Sequence, residues 1–302
     1  MRRAHRRLAR WALALAVLAS LASAGAVLYA RVKPAPPPAP VANRAFLSAT
    51  DPQARAIVWA VGDGADGSDS AQAVARRIAA DRPDRLLYLG DVYERGSAED
   101  FRSGFEPVYG PLTSRTAPTP GNHEWPAHRE GYDRYWRSKS GAATPPWYSF
   151  RTGGWKIISL NSEAPHDAAS DQVRWLEREL RRTSGTCAIA FWHRPLQSAG
   201  KHGDQDDVAP LWRAVRGRAR LVLNGHDHDL QRFGRRDGIT QFVAGAGGKS
   251  RYGVSPDARL AFADDVHDGA LRIELRPGGA DLQFVAADGA VLDRSALTCA
   301  PK

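Results

Sequence analysis

The chain has 302 residues, of which 43% are hydrophobic and 9% are aromatic, enough apolar material for a sizeable core, and this excludes a wholly disordered chain. The formal net charge is +9, but seven positive charges lie in residues 1–33, which contain no Asp or Glu, so the remainder carries only +2. A nearly neutral remainder gives no reason to expect a broad basic face for nucleic acid. The two cysteines exclude a disulfide-dense miniprotein and a zinc site of four thiolates.

The N-terminal segment 1–30 is predicted to direct export. Five arginines in residues 2–10 precede an uncharged run at 11–30, which contains the small-residue cleavage pattern Ala22-Ser23-Ala24. The run is also about as long as the ~20 residues that span a bilayer, so the segment is either a cleaved signal peptide or a signal anchor. Both alternatives predict a domain outside the cytoplasm, secreted or held at the membrane.

A proline-rich linker follows at residues 31–53. Five of the seven residues from Pro34 to Pro40 are proline, a composition typical of an extended, semi-rigid spacer. The linker separates the export segment from one predicted domain at residues 54–302.

Strands and helices alternate through most of this domain, and strands dominate its end. Apolar runs bounded by Gly, Pro or Asp indicate strands, and apolar residues at helical spacing indicate helices. Predicted strands cover residues 56–61, 85–89, 117–120, 147–151, 155–160, 187–192, 220–223, 239–244, 271–275 and 282–286, and predicted helices cover residues 70–81, 98–109, 170–182 and 209–216.

Four of the predicted strands lead into a polar residue whose side chain can bind a metal ion or take part in catalysis. These residues are Asp63, Asp91, His193 and His226. Because ligands of layered α/β proteins collect beyond the carboxyl ends of the strands, we expect these side chains to converge.

The complete set of candidates consists of hard oxygen donors and imidazoles, a chemistry that suits Zn, Mn or Fe. In the segment His226-Asp227-His228, the alternation directs both imidazoles to one face of an extended chain and Asp227 away from it. The candidates are Asp63, Asp91, Asn122, His123, His193, His202, His226 and His228.

Taken in order, these motifs resemble the calcineurin-like metallophosphoesterase superfamily, and most closely its purple acid phosphatase-like bacterial branch. The resemblance covers roughly residues 56–248 and implies a four-layer α/β/β/α sandwich. It is carried by Gly90-Asp91-Val92-Tyr93, Gly121-Asn122-His123-Glu124, Phe191-Trp192-His193-Arg194-Pro195 and Gly225-His226-Asp227-His228.

The resemblance also implies a role for each matching residue. Asp91 would bridge two metal ions, His123 would contact the substrate phosphate, and His202 is a weaker candidate for the general acid, since an exposed loop histidine would look the same. Asp63 and His228 would hold the first metal ion, and Asn122, His193 and His226 would hold the second.

The first metal site departs from the family pattern. Purple acid phosphatases supply a tyrosine three residues after the bridging aspartate, where this chain has Glu94, while Tyr93 stands only two residues on. Either Tyr93 is a ligand through a local shift of the backbone, or Glu94 replaces it, or water fills the position. The identity of the two metal ions, Fe, Mn or Zn, stays open for the same reason.

The activity implied is the hydrolysis of small phosphomonoesters by metal-bound hydroxide, with phosphate scavenging as its purpose. Two cations close together activate water and stabilise both the attacking and the leaving oxygen. The alternatives are a phosphodiesterase with the same metals and a non-catalytic phosphate-binding module. Nucleic acid is not an expected partner.

Export also predicts one disulfide. Cys187 and Cys299 are the only two cysteines of the chain, and an oxidising compartment favours their pairing. The bond would join the middle of the domain to its C-terminal end.

Overall fold

The structure is a computed structural model that describes residues 55–141, 143–182, 185 and 187–300. The predicted export segment 1–30 and the linker 31–53 lie outside the described residues. Among the described residues, every helix is too short or too polar to cross a bilayer.

Two mixed β-sheets form the centre of the domain. The first has the strand order β13-β12-β11-β1-β2-β3, and the second has the order β10-β8-β9-β7-β6-β5-β4. The described strands are β1 (Ala56–Val61), β2 (Arg85–Tyr88), β3 (Thr116–Pro118), β4 (Tyr148–Thr152), β5 (Trp155–Ser159), β6 (Ala188–Phe191), β7 (Leu221–Asn224), β8 (Leu230–Phe233), β9 (Thr240–Ala244), β10 (Leu260–Asp264), β11 (Gly269–Arg276), β12 (Gly279–Ala286) and β13 (Val291–Thr298).

The strands that lead to the predicted site are parallel within each sheet. In the first sheet β1, β2 and β3 are parallel, and in the second β5, β6, β7 and β9 are parallel. The remaining pairs are antiparallel. Parallel neighbours end at the same edge of their sheet, so the loops after β1, β2, β6 and β7 can meet.

The helices cover the outer faces of the two sheets. Ser68 and Ser170 each accept a hydrogen bond from the first turn of the helix that follows, as N-cap residues do. The described helices are α1 (Asp69–Ala80), α2 (Ala98–Asp100), α3 (Glu106–Tyr109), α4 (Tyr132–Ser140), α5 (Asp171–Arg181) and α6 (Ala209–Val215), and a π-helical turn (Phe101–Phe105) joins α2 to α3.

Three apolar clusters separate four layers, which confirms the predicted α/β/β/α sandwich. One cluster lies between the two sheets and includes Val58, Ile189 and Leu271. A second lies between the first sheet and α1, α3, α4 and the π-helical turn, and a third lies between the second sheet and α5 and α6. Burial of these three interfaces is the main source of stability, because apolar area removed from water contributes about 25 cal/mol per Å².

The predicted disulfide is present. Cys187, next to β6, is bonded to Cys299, which follows β13, and their Cα atoms are 5.1 Å apart. The bond therefore ties the second sheet to the end of the first across a separation of 112 residues.

Candidate metal centre

Three residues at the strand ends adopt left-handed backbone conformations. Asp63 follows β1 with φ 60°, Asp91 follows β2 with φ 67°, and His226 follows β7 with φ 76°. Such angles are uncommon outside glycine and cluster at functional sites. A Cβ on Gly121 would lie 2.1 Å from Oδ1 of Asp91, so a side chain there would displace the carboxylate.

One group of donor atoms converges on the hydroxyl of Tyr93. That oxygen lies 3.0 Å from Oδ1 of Asp63, 2.8 Å from Nε2 of His228 and 3.5 Å from Oδ2 of Asp91. The four side chains are buried. Of the three alternatives for the first metal site, this geometry favours Tyr93, because the exposed carboxylate of Glu94 instead pairs with Lys249.

A second group converges on Nε2 of His193. This nitrogen lies 3.1 Å from Oδ1 of Asn122, 3.1 Å from Nδ1 of His226 and 3.4 Å from Oδ2 of Asp91. Ligand atoms of Asp91, His193 and His226 all lie within 4.8 Å of one another. Oδ2 of Asp91 is therefore common to both groups, as a bridging carboxylate requires.

Backbone carbonyls fix the orientation of two of the imidazoles. Nδ1 of His193 contacts the carbonyl of Leu89 at 2.9 Å, and Nδ1 of His228 contacts the carbonyl of Ser250 at 2.7 Å. In each ring the Nδ1–H therefore donates, and Nε2 faces the other donors with its lone pair free when the ring is neutral. Ligating histidines are held in this way in metal sites, so the donor set fits two cations of the Zn, Mn or Fe type.

The buried charges of the centre shift one another's pKa values. Burial raises the pKa of Asp63 well above its usual range. Burial opposes ionisation of Asp91 too, but the charge and hydrogen bond of His193, together with the charge and backbone N–H of His123, outweigh burial and lower the pKa of Asp91. In turn the carboxylate of Asp91 overcomes burial and raises the pKa of His193 to about 10. Burial lowers the pKa of His226 to about 2 and that of His228 to about 4.

His123 lies at the mouth of the centre. Its backbone N–H donates to Oδ1 of Asp91 at 3.0 Å, and its Nδ1 contacts the carbonyl of Glu94. Nε2 remains 3.7 Å from Oδ2 of Asp91 and half-buried. A protonated His123 therefore presents one N–H toward the space above the two donor groups.

His202 lies beside the second donor group. Its ring stacks on His226 with centroids 4.3 Å apart. The loop that carries it is held by Asp227, which accepts from the backbone N–H of His202 at 2.8 Å and from the hydroxyl of Ser198. Asp227 is fully buried, and these two contacts engage both of its carboxylate oxygens.

Sequence reasoning assigned no role to two residues that shape the centre. Oε2 of Glu124 accepts from the backbone N–H of Asp91 at 3.1 Å and of Gly121 at 3.2 Å, so it joins the loops after β2 and β3. Tyr252 stacks on His228 with centroids 4.0 Å apart. The Gly-Asn-His-Glu motif offered a signal for Glu124, whereas Tyr252 lies in a loop without a motif.

The chain matches known proteins at the level of a family and a fold. The model of the calcineurin-like phosphoesterase family matches residues 49–230. The chain is 24% identical to tartrate-resistant acid phosphatase type 5 of Rattus norvegicus over 277 residues, which is 77% of this chain and 84% of that protein. It is 25% identical over 217 residues to an Arabidopsis thaliana protein named "Probable purple acid phosphatase 20", covering 65% of this chain and 51% of the other.

A solved structure shows the same fold. Purple acid phosphatase PPD1 from seeds of yellow lupin, Lupinus luteus, superposes with a TM-score of 0.68 at 17% identity, covering 82% of this chain and 55% of that chain. The chain thus spans about half the length of these two plant proteins. Since the family model covers more than half of the chain, the chain belongs to the calcineurin-like phosphoesterase family and is similar within it to the purple acid phosphatases.

Proposed function

We propose that this chain is an exported phosphatase that hydrolyses phosphomonoesters with the help of two metal ions. One observation carries the proposal: two groups of donors, buried except for the half-buried Asn122, share Oδ2 of Asp91. Binding of phosphate alone would need no such pair of groups, because positively charged side chains and backbone N–H groups suffice for it.

The residues would divide between two cations. Asp63, Tyr93 and His228 would hold the first, Asn122, His193 and His226 would hold the second, and Asp91 would bridge them. The cations would supply Lewis acidity and an activated water for in-line displacement at phosphorus.

Two further histidines would act on the substrate. His123, when protonated, has one N–H free to donate to a phosphate oxygen, and such a donor stabilises charge that develops in the transition state. His202 would give its proton to the departing alkoxide. Its pKa is lowered, chiefly by burial, so the protonated form is a stronger acid than an ordinary histidine.

The Cys187–Cys299 bond supports the exported location, because disulfides persist in oxidising compartments. A predicted export segment at residues 1–30 and a linker at 31–53 would precede a domain at 54–302. N-terminal sequencing of the protein recovered from an exporting host tests this part. Cleavage after Ala24 would indicate a signal peptide, and an intact segment in the membrane fraction would indicate an anchor.

Kinetic comparison of an aryl phosphomonoester with the matching diester tests the activity. We expect faster turnover of the monoester, and a loss of at least about 100-fold in kcat for Asn122→Ala and for His226→Ala, because each removes a metal ligand. Circular dichroism controls for folding. Preference for the diester would replace the proposal with the phosphodiesterase alternative, and a fully active double variant would refute the site.

A further inference from the structure

A second polar cavity lies at the end of the sheets remote from the metal centre. Arg220 precedes β7 and Thr240 begins β9, so both lie at the amino ends of strands whose carboxyl ends lead to the centre. The cavity has a volume of about 390 Å³, and its lining includes Arg220, Arg235, Gly238, Thr240, Arg276 and Thr298.

Two guanidinium groups meet at this cavity. Nη1 of Arg220 and Nη2 of Arg235 each lie 3.8 Å from the position that a Cβ on Gly238 would occupy, so the two nitrogens are within twice that distance of each other. Gly238, at φ 83° in the turn between β8 and β9, has no side chain to separate them. The positive charges of Arg220 and Arg235 therefore lie close together at the same cavity.

These charges have no counter-charge in the part of the chain that the structure describes. No carboxylate there lies within 4.0 Å of either guanidinium, whereas Arg276 is paired with Asp281. Among the described residues, Nη1 of Arg220 reaches only the carbonyl of Gly238, at 3.4 Å, and the buried Nε of Arg220 has no hydrogen-bond partner. Burial of a donor without a partner is unfavourable, so the hydrogen-bonding capacity of Arg220 is not met by its own chain in the described residues.

We propose that this cavity is a second anion site, separate from the metal centre, that binds a phosphate group. The fork of N–H donors on each guanidinium matches tetrahedral oxyanions. Thr240 and Thr298 also line the cavity, and each carries a neutral hydroxyl donor. None of the described residues that line the cavity is acidic. Inorganic phosphate and the headgroup of an anionic phospholipid share this chemistry.

Site-resolved NMR on the chelated protein tests the proposal. Sodium phosphate is titrated at constant ionic strength, and the amide resonances of Gly238 and Thr240 are followed. We expect saturable shifts, and at least tenfold weaker binding in the Arg220→Gln/Arg235→Gln variant. Arg213→Gln removes an exposed arginine of α6 that does not line the cavity, and it should bind like the unmodified chain.

A second arm separates the two sources of phosphate. Sedimentation with vesicles of phosphatidylglycerol or of phosphatidylcholine compares the double variant with Arg213→Gln. If the double variant sediments less than Arg213→Gln with phosphatidylglycerol vesicles but not with phosphatidylcholine vesicles, the site binds a lipid headgroup. If the two variants sediment equally with both kinds of vesicle while phosphate still shifts the amide resonances, the site binds the free anion.

The proposal is overturned if phosphate produces no saturable shift at Gly238 and Thr240, or if the double variant binds as tightly as Arg213→Gln. Should the loss of Arg220 prevent folding, Arg235→Gln alone decides, since Arg235 is exposed in the turn. We expect that variant to bind phosphate several-fold more weakly. Activity at the metal centre enters none of these readouts, so failure here leaves the proposed function untouched.

Discussion

The hydroxyl of Tyr93 lies 2.8 Å from Nε2 of His228, although 135 residues separate them in the chain. The same hydroxyl is 3.0 Å from Asp63, so the tyrosine stands among the predicted ligands of the first metal ion. The side chain of Lys249 lies 4.5 Å above the Tyr93 ring and is itself paired with Glu94. Lys249 therefore holds Glu94 on the outer side of the tyrosine, away from the donors.

Tyr93→Phe tests which of these neighbours binds metal. Loss of the phenol oxygen should weaken binding of the first metal ion by at least about 10- to 100-fold. That is the loss of affinity found when residues that only hydrogen-bond to metal ligands are mutated. Competition with a chromogenic chelator measures the affinity. An iron-loaded sample should also lose a tyrosinate charge-transfer band in its visible spectrum.

Glu94→Gln is the matched control, because it removes the neighbouring carboxylate and leaves the phenol in place. It should keep both the affinity and the spectrum. The opposite pattern, loss in Glu94→Gln and retention in Tyr93→Phe, would assign the ligand to the glutamate.

Asp227→Ala tests whether Asp227 positions His202. Without the carboxylate the backbone of His202 loses an acceptor at 2.8 Å, so the proposed general acid should be misplaced. We expect kcat for alkyl phosphates to fall by about 10²–10⁴, the usual contribution of general acid–base catalysis, while activated aryl phosphates change little. A series of esters with different leaving-group pKa values measures the dependence.

Asp237→Ala is a suitable control for that experiment. Asp237 accepts a hydrogen bond from Trp212 at 2.9 Å far from the centre, so its loss should lower stability without changing the leaving-group dependence. An unchanged dependence in Asp227→Ala as well would refute the positioning role.

Metal affinity should rise with pH, because protons compete for His193. Its pKa is raised to about 10 in the metal-free protein, against an ordinary value of 6.5, so the ring is protonated at pH 7 and binding must displace that proton. The proton displaced from His193 alone makes the affinity increase about tenfold per pH unit below 10, and protons displaced from Asp63 and Tyr93, whose pKa values are also raised by burial, make the rise steeper. Chelator competition at pH 6, 7 and 8 measures the slope, and an affinity independent of pH would contradict it.

The raised pKa of His193 also determines how the stability of the metal-free protein changes with pH. Between pH 6.5 and 10 the folded metal-free protein holds a proton on His193 that the unfolded chain has released. The contribution of this group to the free energy of unfolding is therefore fully present below pH 6.5 and is lost as the pH rises through 10. Urea unfolding of chelated protein at pH 6 and 9 should show the decrease, and His193→Asn should reduce it.

Removal of the disulfide should destabilise the fold without affecting the centre. The bond closes a loop of 112 residues, and the loss of such bonds costs about 2–5 kcal/mol in small exported domains. Urea unfolding of the Cys187→Ala/Cys299→Ala variant measures this cost. Two free thiols titrated in the unfolded, unreduced protein would instead show that the bond does not form.

Much of the sandwich was predictable from local patterns. The helix at 171–181 has an apolar stripe and the N-cap Ser170, and the hairpin of β4 and β5 turns at Gly153 and Gly154, which both have positive φ. The continuous helix predicted at 98–109 was wrong in detail, because a π-helical turn interrupts it at Phe101–Phe105. Three strands, β8, β10 and β13, went unpredicted, since they alternate weakly or follow irregular loops.

The candidate site was predictable where a residue follows a strand. Asp63 and Asp91 follow parallel strands of the first sheet, and His193 and His226 follow parallel strands of the second. Each pair is therefore brought together by its own sheet, and the packing of the two sheets brings the pairs to one place. Tyr93 was ambiguous because its direction depends on the path of one loop, and Asp227 required the contact with a distant loop that only the folded chain provides.

Restoration of activity by metals tests the central claim, that the two donor groups sharing Asp91 hold catalytic cations. The chelated protein is assayed on an aryl phosphomonoester while Mn, Zn, Fe or Ca is added singly. We predict no turnover after chelation and full recovery with one or more of Mn, Zn and Fe as the bound metal approaches two ions per chain. A folded protein that stays inactive with every metal, or that remains active after complete chelation, would contradict the account.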